Sequence, residues 1–185
     1  MQRIVASITT LEQHLRTVAQ APQEYRLSAC PHCGLGSPWR HGCYLRKVER
    51  RPALVDRAAA DAPRRMAPVC RFYCRGCRRT HSRLPLCIAP RRWFDWVVQQ
   101  LALLLMLAGA SVRSCARQVG IDRHTARRWR DWLRAPQAVR FAFHLRSQYP
   151  YLGRCDDGPP FWREVVERTG LARAMACLDR MLTVP

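Results

Sequence analysis

The spacing of apolar and polar positions divides the chain into four stretches. Residues 1–25 carry one short amphipathic pattern: Thr9-Thr10-Leu11-Glu12-Gln13 is a helix start of the capping-box type, and Pro22 ends the helix that follows. From residue 26 to 90 the pattern changes to short runs bearing Trp, Tyr, Val and Phe between turn residues. The runs at 39–50, 69–73 and 80–84 predict the strands of a small ribbon, with the Ala-, Pro- and Arg-rich residues 51–68 as an inserted loop. Residues 91–135 begin with a dense apolar segment, 93–108, that reads as a buried helix and is broken at Gly109-Ala110-Ser111. Ser111 then caps a helix with Val112, Cys115, Ala116 and Val119 at helical spacing, Gly120-Ile121-Asp122 makes a turn, and Asp122 caps a second helix that Pro136 closes off. In residues 136–185 a loop over 153–160 precedes one or two helices, on which Phe161, Val165, Leu171, Met175, Leu178 and Leu182 recur every three or four positions. That stripe, with Trp162, is expected to pack on the 93–108 helix of the same chain in preference to pairing two chains. The fold class is therefore α+β, mainly α: a small β ribbon, a helix-turn-helix and a helical tail.

Charge narrows the class of partner. The 185 residues carry a net charge of +19, from 32 basic and 13 acidic residues, so a polyanion is the expected partner. Lys47 is the only lysine. A GC-rich genome accounts for arginine in place of lysine, and leaves the scarcity of acids unexplained. The longest apolar run, residues 101–110, is too short for a bilayer, which takes about 20 residues. The first residues, Met1-Gln2-Arg3-Ile4-Val5-Ala6-Ser7, lack the apolar core of a secretory signal. Ten cysteines in such a chain fit a reducing cytoplasm, and metal ligation in place of disulfides.

Cys30-Pro31-His32-Cys33 and Cys74-Arg75-Gly76-Cys77 are the pattern from which that ligation is expected. Each knuckle puts two thiolates on one tight turn, and two such turns supply the tetrahedral sulfur cage of a structural Zn²⁺. One structural zinc ion on Cys30, Cys33, Cys74 and Cys77 is the resulting expectation, with Gly34 and Gly76 easing the turns. Cys43, Cys70, His32, His41 and His81 are competing ligands that break the knuckle symmetry. A redox CxxC would need a strand-and-helix context absent from this stretch, and four thiolates leave no open position for catalytic water. The ribbon has few large apolar residues, so metal is expected to supply the stability it lacks.

The helix-turn-helix spacing is specific. Ala116 is small where two helices must cross, Gly120 can take a left-handed turn, and Ile121, Ala126 and Trp129 fall inward. Arg123, His124 and Arg127, in the first turns of the second helix, are the candidates for base contacts. Arg113, Thr125, Arg128 and Arg130 are candidates for phosphate, as are Arg71, Arg75, Arg78 and Arg79 on the ribbon. Phe72 and Tyr73, interleaved with the ribbon arginines, are expected to form its small core. A solvated basic helical hairpin has the same charge, but not the joint placement of cap, small residue, glycine and apolar positions.

These motifs, with Trp39-Arg40-His41-Gly42-Cys43-Tyr44 and the run from Arg71 to Pro85, resemble the N-terminal DNA-binding part of bacterial insertion-sequence transposases and their accessory proteins, over residues 26–134. The resemblance implies binding of duplex DNA at element ends or promoters, in the bacterial nucleoid, alongside a transposase or integrase encoded nearby. A full transposase continues into a domain with three metal-binding carboxylates. Here Asp156, Asp157, Glu164, Glu167 and Asp179 lie on a loop and helices, so no enzymatic activity is expected. A stand-alone repressor, an inactive truncated transposase, and an RNA-binding or structural zinc-ribbon protein are the alternatives.

Overall fold

A computed structural model describes residues 3–48, 66–90 and 94–180. The fold is α+β and mainly helical. Strand β1 (Ile4–Val5) precedes helix α1 (Leu11–Gln20), and strands β2 (Trp39–Lys47), β3 (Met66–Tyr73) and β4 (Thr80–His81) form an antiparallel sheet in the order β2-β3-β4. Strand β5 (Leu84–Pro85) pairs in parallel with β1. The run expected at 80–84 thus splits between two sheets. Residues 49–50 of the first expected strand and 51–65 of the expected loop lie outside the described residues, and 66–68 belong to β3. Lys47 pairs with Met66 at the end of the antiparallel β2–β3 ladder.

Helix α1 forms as its cap dictates. The Thr10 hydroxyl accepts from the Gln13 amide at 3.1 Å, and the Gln13 side chain accepts from the Thr9 amide at 2.9 Å. The helix lies on β3 and gives the ribbon apolar surface that its own strands lack: Val5, Ile8, Tyr25, Cys70 and Phe72 make one small core, with Val18 against it. Buried His14 is held there, its Nδ1 2.6 Å from the Tyr25 hydroxyl, and burial lowers its pKa. Val48, Ala67, Val69, Leu84 and Ile88 make a second small core.

Helices α2 (Trp96–Leu107), α3 (Val112–Val119) and α4 (Arg123–Arg134) pack mutually, and α5 (Gln137–Gln148), α6 (Pro159–Glu164) and α7 (Leu171–Asp179) complete the helical end. A π turn, Val165–Thr169, joins α6 to α7. Trp93 lies outside the described residues, and α2 starts where Asp95 accepts from the Val98 amide at 3.0 Å. Pro136, the residue expected only to close α4, stands at the N-cap position of α5. One core runs through residues on both sides of position 135: Trp129, Trp132, Phe141, Phe161, Trp162, Val165, Leu171 and Leu178 share it with Trp96, Val98 and Leu103. The tail stripe therefore packs within the chain, Trp132 lying 5.2 Å from Trp162 and 5.7 Å from Phe141, ring centre to ring centre. Leu182 lies outside the described residues.

Ribbon and helical core are tied together at a buried carboxylate. Asp179 at the end of α7 accepts from the backbone amides of Arg3 and, at 2.8 Å, Ile4, so the amide that opens β1 is satisfied by a helix 175 residues away. Burial raises the pKa of Asp179, and those two amides oppose the shift. The Trp96 indole adds a second tie, donating to the Leu86 carbonyl at 2.8 Å.

Gly120 is the position where conformation decides the fold. It sits at φ 72° and ψ 35°, and its amide closes α3 onto the Ala116 carbonyl at 3.0 Å. A left-handed backbone with a Cβ costs about 1–2 kcal/mol. Gly120→Ala should lower unfolding free energy by about that much, seen as an earlier denaturant midpoint at unchanged slope; an unchanged midpoint would mean that the turn is not held in this conformation.

Candidate metal centre and nucleic-acid interface

Both knuckles form by local hydrogen bonding. In the first, the Cys30 amide donates to the Leu35 carbonyl at 2.7 Å and the Gly34 amide to the Cys30 carbonyl at 2.9 Å; in the second, the Cys74 amide donates to the Arg79 carbonyl at 2.9 Å. The left-handed residue of the first knuckle is Gly34, at φ 71°, and its counterpart in the second is Arg78, at φ 56°, not Gly76. Gly76 serves by its size: a Cβ there would stand 2.8 Å from Cδ2 of Leu35 and 3.4 Å from Sγ of Cys33. The knuckles press against each other at that point.

The consequence is a cluster of four thiols. The sulfurs of Cys30, Cys33, Cys74 and Cys77 all lie within 4.8 Å of one another, with Cys30–Cys77 and Cys33–Cys74 each at 3.6 Å. A metal bound tetrahedrally at about 2.3 Å to each sulfur needs sulfurs about 3.8 Å apart, so little adjustment is required for the four to hold one ion. Protonation tells the same story. Burial works against the Cys30 thiolate, but the amides of Cys33 and His32 and the neighbouring thiols outweigh it and bring its pKa down to about 5. Burial and the other sulfurs push Cys77 up to about 11, and Cys33 is raised as well. Four thiols this close share little negative charge without a cation among them, and a bound cation removes that restriction.

The competing ligands are elsewhere, or outside the ion's reach. His81 is buried with Nε2 3.3 Å from the Cys30 sulfur, which places it to orient that ligand from behind. His32 faces Arg79 at 3.3 Å, and His41 lies against Tyr73 with ring centres 5.6 Å apart. Cys43 and Cys70 pair across β2 and β3, sulfur to sulfur at 3.7 Å, apart from the four-cysteine group.

On the helical end, Ser111 accepts from the Ser114 amide at 3.1 Å and Asp122 from the His124 amide at 2.7 Å. Cys115, Ala116, Val119, Ile121, Ala126 and Trp129 are buried. Cys115 is core, its thiol donating to the Ala102 carbonyl at 3.5 Å. With that face sunk, Arg123, His124, Arg127 and Arg128 stand exposed on α4 and Arg113 on α3, and none of the four arginines has an ion pair or hydrogen-bonding side-chain partner among the described residues. Thr125 is half-buried, and Arg130 is turned onto Asp131 at 2.8 Å. The ribbon arginines are exposed at 71, 75, 78 and 79, but not equivalent: Arg71 lies 4.8 Å over the Tyr44 ring, and Arg75 3.8 Å over that of Trp39.

Phe72 is core, as expected; Tyr73 is not. Tyr73 is half-exposed and pairs across the sheet with Trp39, which is 54% exposed. Of the tail acids, Asp157 pairs with Arg146 and Glu164 with Arg168, each at 2.8 Å, while Asp179 is committed to β1. Among the described residues no helix is long and apolar enough to cross a membrane. No protein-family model, curated protein or solved structure matches the chain.

Proposed function

We propose that the chain is a zinc-containing, sequence-preferring duplex DNA-binding protein, an accessory or regulatory factor of mobile-element type without catalysis of its own. The observation that carries this reading is α4. Its first turns hold Arg123, His124 and Arg127 free in solvent while Ala126 and Trp129 anchor its other face, which is how a recognition helix enters a major groove. Zinc is the ion that the donor set favours, because four thiolates in a closed tetrahedron suit a soft-tolerant structural ion and leave no site for water. Its role is to hold the ribbon's basic surface in place. Support for the absence of catalysis lies in the tail acids, three of which are engaged in ion pairs or hydrogen bonds within the fold. The resemblance to the DNA-binding part of insertion-sequence transposases gives the mobile-element context, and an adjacent transposase or integrase gene would favour it over a stand-alone repressor.

The test is a selection of bound sequences from random duplex DNA with the full chain. A recovered motif bound at least about 1000-fold more tightly than random duplex is the expected outcome. A pool that stays random, or a preference for RNA over duplex DNA, would overturn the reading.

A further inference from the structure

The ribbon carries a feature that duplex reading by α4 leaves unused. Trp39, at the start of β2, has the Arg75 guanidinium 3.8 Å over its ring and yet keeps 54% of its surface in solvent. The same side chain walls a cleft of about 330 Å³ with Pro22, Gln23, Arg26, Arg40 and Phe72. Among the described residues no acid lines that cleft. Arg26 is held in place at its edge, since Nε donates to the Pro38 carbonyl at 2.7 Å. Tyr73 stands across the strand from Trp39, with Arg71 exposed two residues before it.

A Trp–Arg stack alone stabilises a knuckle. It does not explain why the rest of the indole stays open beside a cleft walled by two arginines. An exposed aromatic face next to fixed cationic groups is the arrangement that takes an unpaired nucleobase: the ring stacks on the base, and the guanidinium groups meet the flanking phosphates. The cleft's volume exceeds that of a single base, leaving room for its sugar. We infer that Trp39, with Arg26 and Arg40, is a binding site for unpaired bases of single-stranded DNA, separate from the duplex surface of α4. Only the class of ligand, nucleic acid, rests on the proposed function; the site itself stands on its own geometry. A protein able to hold both would grip DNA where duplex opens into a single strand.

The experiment uses the zinc-loaded full chain and fluorescence anisotropy with three probes: an oligothymidylate of about 12 nucleotides, an abasic strand of the same length, and duplex DNA. Wild type should bind oligothymidylate roughly 5- to 150-fold more tightly than the abasic strand, the span expected for stacking of one base. Trp39→Ala should remove that difference, Trp39→Phe should retain most of it, and neither should change duplex affinity more than about twofold. Zinc content and melting temperature, taken on both variants, report whether the ribbon is intact. Replacing Arg123, His124 and Arg127 together by Ala should spare oligothymidylate binding, so loss of the duplex reading and loss of this site are told apart. Equal binding of the abasic strand and oligothymidylate by wild type, which needs no variant to fold, would overturn the inference by leaving phosphate contact alone. So would binding of neither strand, an outcome that leaves Trp39 to a protein partner.

Discussion

Removing the metal from the intact chain is expected to melt the ribbon while helices α2 to α7 stay folded. The ribbon's two small cores hold five buried residues each, and a buried apolar side chain contributes only about 1.5–3 kcal/mol. Ordering the backbone costs about 1–2 kcal/mol per residue, so these clusters cannot hold the knuckles and hairpin alone. Structural zinc on thiolates supplies about 10–16 kcal/mol in domains that bind it, so such an ion in the four-cysteine cluster would be the largest single contribution in the ribbon. Helix α1 and β1 soften the loss without cancelling it. Metal analysis should find one equivalent per chain. Cys30→Ser and Cys74→Ser should each lose the ion and speed hydrogen exchange through β2 and β3, while helical circular dichroism is largely kept. Cys43→Ser and Cys70→Ser should keep the metal. If Cys30→Ser and Cys74→Ser both retain a full equivalent, the four-cysteine centre is wrong.

Phe161→Ala should act on the helical core. Phe161 is fully buried, 5.4 Å from Trp162 between ring centres, and Trp162 in turn meets Trp132 of α4. Truncating such a ring costs about 3–5 kcal/mol, a large part of the roughly 5–15 kcal/mol that holds a domain together. Because α4 rests on this aromatic cluster, duplex binding should fall in step with the helical melting transition. Zinc content should not change. Loss of the metal with an unchanged helical transition would show that the tail supports the ribbon and not α4.

What the sequence made legible was what is encoded locally. Thr10, Ser111 and Asp122 cap helices because each lies immediately before an apolar periodic run, and Gly120 turns left-handed because it ends α3 two residues before the extended cap of α4. The four cysteines converge because each pair is already half-assembled on its own turn. Features set by distant pairing were not legible. Ile4–Val5 is two residues long and becomes a strand only through β5 and Asp179. Tyr73 lies on the face of β3 that Ala67 and Val69 bury in the second small core, but that cover ends before exposed Arg71, whereas Cys70 and Phe72 on the opposite face are sunk in the first. Arg78 takes a left-handed backbone that composition assigns to glycine. Helix α5 had a readable signal in Ala138, Phe141, Ala142 and Leu145, hidden by treating Pro136 as a stop alone when proline also opens helices. The stack of Arg75 on Trp39 joins residues from the second knuckle and the first strand, so no single motif contains it.

The central claim, that α4 reads sequence, is tested most directly by comparing Arg127→Ala with Arg78→Ala on the selected site and on random duplex over a range of salt. Arg127→Ala is expected to cost about 1–3 kcal/mol on the selected site and much less on random DNA, as a lost base contact does. Arg78→Ala should weaken both alike and reduce the salt slope by about one, as a lost phosphate contact does. If Arg127→Ala, and likewise Arg123→Ala and His124→Ala, weaken selected and random duplex equally, α4 is a basic surface and does not read sequence.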